Sequence, residues 1–143
     1  MTLSERVALV TGAGSSTGIG FATARLLAEK GARVAITSTT GRIEDRAKEL
    51  VATGVEVVAK AADLTSREQT QSLVDEVLRH YGRIDILVNN AGMIQVDGAS
   101  TSVSFDQLTE EQWDYGIAIN LKTAFHPRKP SCLQCLPLAM AGS

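Results

Sequence analysis

Cysteine, proline and aromatic residues are all scarce in this 143-residue chain, and no charge of either sign dominates. The two cysteines, Cys132 and Cys135, are spaced C-x-x-C. Half a zinc site would need further ligands, and the rest of the chain offers only His80 and His126. A thioredoxin-type redox pair sits at a helix start after a strand, whereas this pair lies in a proline-bearing tail. Two free thiols is the reading that remains. No apolar run approaches the ~20 residues a bilayer span needs. A net charge of −2 and a pI near 5.7 give no electrostatic reason to expect nucleic acid or an anionic membrane as partner. Met1-Thr2-Leu3-Ser4-Glu5-Arg6 has no hydrophobic signal region, so the cytoplasm is expected. The length suits one small domain.

What the chain does have is alternation of strand and helix patterns, which predicts an α/β fold built on a parallel sheet. Val7, Ala8, Leu9 and Val10 form an apolar run typical of a strand buried on both faces, predicted over Val7–Thr11. Gly12, Gly14, Gly18 and Gly20 follow, letting the backbone turn tightly and approach a ligand with no Cβ in the way. A helix then runs from about Gly18 to Lys30, with Gly31 as its stop. Its free N-terminal N–H groups and positive dipole end would face phosphate. Further strands are predicted at Arg33–Thr37, Val55–Ala59 and Ile84–Asn89. Helices are predicted at Ile43–Thr53, after a Thr65/Glu68 capping box, and from Glu110 to Ala124 after a Thr109/Gln112 box. Right-handed crossovers order the sheet three, two, one, four: a doubly wound, Rossmann-like sheet left incomplete beyond the fourth strand.

After Phe125 the pattern stops. All three prolines (Pro127, Pro130, Pro137) fall there, and no helix or strand period is sustained. The chain therefore divides into a partial dinucleotide-binding domain, residues 1–125, and an irregular tail, residues 126–143.

Four motifs in order carry a family resemblance: Thr11-Gly12 through Gly18-Ile19-Gly20, Asp63-Leu64, Asn89-Asn90-Ala91-Gly92, and Trp113-Asp114 through Asn120-Leu121. Together they resemble the short-chain dehydrogenases/reductases, over about residues 5–125. The resemblance implies an NAD(P)-dependent oxidoreductase that acts on a small carbonyl or alcohol substrate and assembles as a homo-oligomer. It implies that Gly12, Gly14, Gly18 and Ile19 form the pyrophosphate turn, with Ser16 (and Ser15) adding hydroxyl donors. Ala13 to Thr17 separate Gly12 from Gly18, two residues more than the family's usual spacing, which leaves open whether Gly12 or Gly14 plays the first role. Asp63 would accept from the adenine amino group, with Leu64 beside it; as a turn residue it also has an ordinary structural use. Asn90, Ala91 and Gly92 would lie against the ribose, while Asn89 is expected to tie strands together. The second strand ends in Ser38-Thr39-Thr40-Gly41-Arg42 with no carboxylate before Glu44. Ser38 and Thr39, with Arg42 nearby, suit a 2′-phosphate, so NADP is favoured over NAD.

In this family a serine and a Tyr-x-x-x-Lys pair do the proton chemistry, supported by an asparagine that Asn120 matches. The tyrosines here are Tyr81 and Tyr115, and four residues on stand Asp85 and Ile119. Neither pair serves. Permitted codons for Arg128–Ser143, read one base earlier, spell Q-A-V-L-P-T-M-L-A-A-G-Y-G-R-I, resembling the family's continuation of the last helix. The expectation is a frameshift near residues 126–128, in the gene or its determination, and a truncated product with little or no activity; the competing reading is a naturally divergent tail. The complete form would move a hydride between the nicotinamide and a carbonyl or secondary alcohol, nearest in flavour to a 3-oxoacyl-thioester reductase. The alternative is a non-catalytic dinucleotide-binding or subunit-interaction module.

Overall fold

A computed structural model describes residues 2–92 and 105–128. The tail beyond residue 128, with both cysteines, and most of the polar loop before Leu108 lie outside the described residues. The elements are β1 (Val7–Thr11), α1 (Ile19–Glu29), β2 (Arg33–Ser38), α2 (Arg42–Val51), β3 (Val57–Ala61), α3 (Arg67–Tyr81), β4 (Ile86–Val88) and α4 (Glu110–Phe125). Single 3-10 turns stand at Phe105–Gln107 and His126–Arg128. The strands are parallel in the order β3-β2-β1-β4, the predicted doubly wound arrangement.

All five residues of β1 are buried, as a central strand covered on both faces must be. One face carries Val7, Leu9 and Ala35 against Leu73, Val74 and Val77 of α3. The other carries Val10, Val34 and Ile36 against Phe21 and Ala24 of α1 and Ile43 and Leu50 of α2. Helix α1 ends where expected, with Gly31 at φ +92°. The Thr109/Gln112 box opens α4 as predicted: Gln112 N–H donates to Thr109 Oγ1 at 3.3 Å, and Thr109 N–H to Gln112 Oε1 at 3.1 Å.

Helix α2 starts one residue earlier and stops two residues earlier than the sequence expectation, and further differences fall at β3, α3 and β4. Strand β3 begins and ends two residues later than predicted, because β2 runs on to Ser38 and pairs it with Ala61. Lys60 tolerates that position because its ammonium reaches Ser72 Oγ (2.9 Å) and Glu76 Oε2 (2.7 Å) on α3. The cap of α3 is Ser66, not Thr65: Gln69 N–H donates to Ser66 Oγ, while the Gln69 side chain turns away to accept from Asp63 N–H. Thr65 is already engaged, giving both its N–H and its hydroxyl to Asp63 Oδ1. Strand β4 is shorter than predicted. Asp85 precedes it: its N–H donates to Val7 O at 2.8 Å, while its carboxylate takes Val7 N–H at 2.9 Å and both Arg6 and Arg83. Burial alone would raise the Asp85 carboxyl, but the Val7 N–H and the two guanidinium groups outweigh it and hold it below the usual carboxylate range.

Among the described residues, no helix is long and apolar enough to cross a membrane, and no cluster of His, Cys, Asp or Glu could hold a metal ion.

Candidate functional site

A cavity of about 860 Å³ opens over the C-terminal ends of all four strands. Open α/β sheets bind ligands at this edge, because loops there diverge to opposite faces of the sheet. Its walls come from Gly12, Gly14 and Ser15 after β1, Ser38, Thr39, Thr40 and Arg42 after β2, and Ala62 to Thr65 after β3. Ala91 and Gly92 after β4, and Tyr115, Ile119 and Thr123 of α4, complete it.

The turn after β1 is held from behind. Gly12 adopts φ +69°, and a Cβ there would sit 2.8 Å from Ala91 Cα. Gly20, on the first turn of α1, meets Gly12 O and the Asn90 amide so closely that its Cβ would lie 2.7 and 2.5 Å from them. Gly12 thus makes the tight turn and Gly20 the helix-to-strand approach. Gly14 packs against Ser38, bringing the ends of β1 and β2 together. Gly18 is the N-cap of α1; it supplies no side-chain acceptor, and the first turn holds no acidic residue. Neither the cap residue nor the first turn therefore compensates the positive end of this helix.

Thr11 stitches β1 to the loop after β4. Its hydroxyl donates to Val88 O (3.1 Å) and accepts from Asn90 N–H (3.0 Å) and Ala91 N–H (2.9 Å). The Asn90 side chain donates to Thr11 O and Gly12 O at 3.0 and 3.1 Å. Asn90, rather than Asn89, is the residue that ties the strands; Asn89 is exposed. The pleat decides between two adjacent amides, and only the second points back toward β1.

On the β2 side, Ser38 Oγ donates to Thr40 O (2.9 Å) and Arg42 Nε to Thr40 Oγ1 (3.3 Å), so the guanidinium is drawn to the cavity rim. Asp63 does the turn work described above through Oδ1 and still lines the cavity. His126, past the end of α4, donates from Nδ1 to Leu64 O at 2.9 Å; a carbonyl can only accept, so Nδ1 carries the proton. Thr123 Oγ1 reaches Ile119 O (2.6 Å) and Ala91 O (3.2 Å), fixing α4 against the β4 loop.

Of the residues singled out from sequence, Gly12, Gly14, Ser38, Thr39, Asp63, Leu64, Ala91 and Gly92 share this one cavity. Ser16 and Ile19 are exposed on the turn and the start of α1, and Gly18 lies between them, outside the lining. Asn90 sits behind the wall. Asn120 sets its Oδ1 against Gly92, where a Cβ would come within 2.5 Å, and its amide donates to Gly116 O. Sequence reasoning assigned no role to Thr11, Tyr115, Ile119 or Thr123. The i, i+4, i+8 spacing of the last three was the available signal.

These features define a Rossmann-like dinucleotide-binding architecture. The family model for the short chain dehydrogenases matches residues 6–136. The chain is 37% identical over 127 residues to the 3-oxoacyl-[acyl-carrier-protein] reductase FabG of Thermotoga maritima, covering 88% of this chain and 48% of that protein. A metagenomic short-chain oxidoreductase solved in complex with NADP superimposes with a TM-score of 0.73 at 37% identity, over 88% of this chain and 54% of the other. A short chain dehydrogenase from Burkholderia cenocepacia, also in complex with NADP, gives 0.74 at 34% identity, over 88% and 49%. This chain belongs to the short-chain dehydrogenases, a family of oxidoreductases, and spans about half the length of the curated relatives it matches.

Proposed function

We propose that the chain is the cofactor-binding portion of a reductase or dehydrogenase that uses NADP in preference to NAD. Its substrate would be a small carbonyl or secondary alcohol, of the 3-oxoacyl type. The observation that carries this reading is the cavity over four strand ends, lined by the Gly12–Gly14 turn and Ser15, the segment that leads into α1. The residues present fit the cofactor. Gly12 and Gly14 bring bare backbone to the rim, where a diphosphate can approach. Gly18, Ile19 and Ser16 offer donors from the helix start. Ser38, Thr39 and Arg42 supply hydroxyls and a cation, and no carboxylate, for a 2′-phosphate. Asp63 keeps Oδ2 for an adenine amino group, Leu64 lies beside it, Ala91 and Gly92 form the wall for the ribose, and Asn90 holds that wall from behind. Asn120 would support the proton relay.

When bound, the nicotinamide ring gives or takes the hydride. Proton transfer needs a separate acid, and Tyr81 cannot be it. Its hydroxyl donates to backbone carbonyls of Val34 and Glu56, at the opposite end of the sheet. Burial first, and the Glu56 charge second, push it up to about 12. With no tyrosine–lysine pair in these 143 residues, cofactor binding without turnover is the expected behaviour. The proposed compartment is the cytoplasm, where Cys132 and Cys135 would stay reduced.

Thermal melting tests this. Saturating NADPH, at a hundredfold over its Kd, should stabilise the chain by about 2.7 kcal/mol, with NADH weaker. Arg42→Ala should erase the NADPH preference while leaving the NADH response. An NADPH-independent melt would overturn the reading.

The same proposal includes self-association. Trp113, Ile117, Leu121 and Phe125 recur every fourth residue on α4 and are 51, 42, 63 and 58% exposed. A continuous apolar stripe of this kind marks an interaction face. Glu110, Glu111 and Asp114 stand at one end and Lys122 toward the other, so antiparallel pairing of two α4 helices joins opposite charges. Sedimentation should show a dimer that Leu121→Glu converts to monomer; an unchanged sedimentation coefficient would remove α4 from the interface.

A further inference from the structure

Helix α4 divides its apolar residues between two faces. Trp113, Ile117, Leu121 and Phe125 form the outward stripe, while Tyr115, Ile119 and Thr123, offset by two positions or about 200°, line the cavity. Along the cavity row burial falls steadily: Thr123 is buried and tied to Ala91 O, Ile119 is half-buried, and Tyr115 is 53% exposed. Tyr115 makes no hydrogen bond among the described residues, so no bond of that kind explains its place on the wall. Asp63, Leu64 and Thr65, the polar and apolar groups of the β3 loop, line the same cavity.

We propose that the Tyr115 ring is the stacking face for the adenine base, and so a residue that sets preference for a purine at this end of the cavity. This rests on the dinucleotide reading above and names a group within it. An aromatic plate half in water gains little from the fold, but a purine laid on it buries both π-faces. Asp63, which lines the same cavity, is the hydrogen-bonding partner for the base edge. Ile119, one turn along, continues the apolar surface under the ring system, so the base lies along the helix row.

Isothermal titration of the whole 143-residue chain with NADPH, ADP and nicotinamide mononucleotide tests the assignment. Tyr115→Ala should raise the Kd for NADPH and for ADP about tenfold, the lower range of base–aromatic stacking. Tyr115→Phe, which keeps the ring and loses only the hydroxyl, should stay near the wild type. The mononucleotide, which has no adenine, should bind both variants as it binds the wild type. The melting temperature of Tyr115→Ala without ligand should not move, because the ring is half exposed. Wild-type binding of NADPH with an unchanged Kd in Tyr115→Ala overturns this inference alone. A loss shared equally by the mononucleotide also overturns it, since the effect would then be on the whole cavity. No binding of NADPH by the wild type overturns both this inference and the reading beneath it.

Discussion

Gly12→Ala is expected to remove the fold along with the ligand site. Alanine at φ +69° carries the left-handed penalty of about 1 kcal/mol. Its Cβ would also stand 2.8 Å from Ala91 Cα and 2.9 Å from Ala91 N. Those are backbone atoms, and they cannot retreat, because the Thr11 hydroxyl holds Ala91 N–H at 2.9 Å. Strain and clash together should cost about 3 kcal/mol or more, a large share of a small domain's stability. Gly54→Ala is the control. Its φ of +84° imposes the same conformational penalty, but nothing lies within 4 Å of the added carbon, so about 1 kcal/mol is expected there. Urea denaturation of the two variants separates the effects. If both midpoints shift equally, the close approach of β1's turn to the β4 loop is not what fixes glycine at position 12.

The parts of this site that sequence made legible are those where one residue type answers one geometric demand. Val7–Val10 had to be a two-sided strand, and glycine had to follow where backbone approaches backbone, so β1, its turn and α1 read directly. The sheet order followed from crossover handedness once four strand-like runs were recognised. What sequence left unresolved were choices between adjacent residues of like chemistry. Thr65 and Ser66 can both cap a helix, and the choice fell to Ser66 only because Asp63 takes Thr65 into a turn. Asn89 and Asn90 are both amides, and the direction of the chain after Val88 decides which one reaches Thr11 and Gly12. Lys60 looked like the end of a strand, yet Glu76 and Ser72, distant in sequence, let β3 continue through it. Tyr115 was passed over because it has no lysine four residues on. Its position on the cavity wall depends on how α4 is rotated, which the Thr123–Ala91 bond sets.

Thr11→Val should be the second most damaging single change, although it keeps the side chain's shape. The hydroxyl serves three backbone groups at once: it donates to Val88 O and accepts from Asn90 N–H and Ala91 N–H. Valine supplies no partner for any of them. Asn90 N–H can fall back on Val88 O, which it already approaches at 3.1 Å. Ala91 N–H is left without its acceptor at a half-buried position beside Thr11, which is itself 0% exposed. Orphaning such groups should cost about 2–3 kcal/mol, read as a shift in the urea midpoint with an unchanged slope. Thr11→Ser keeps the hydroxyl and loses one methyl group, so about 1 kcal/mol is expected. The functional consequence follows from what the bonds hold. Ala91 and Gly92 form one wall of the cavity, so Thr11→Val should weaken NADPH binding and Thr11→Ser should restore it. Asn90→Ala releases the same loop from its other anchor, and the double variant should lose less than the sum of the singles. Full additivity between positions 11 and 90 would mean that the two side chains hold separate structures, and that the loop after β4 is placed by something other than this shared set of bonds.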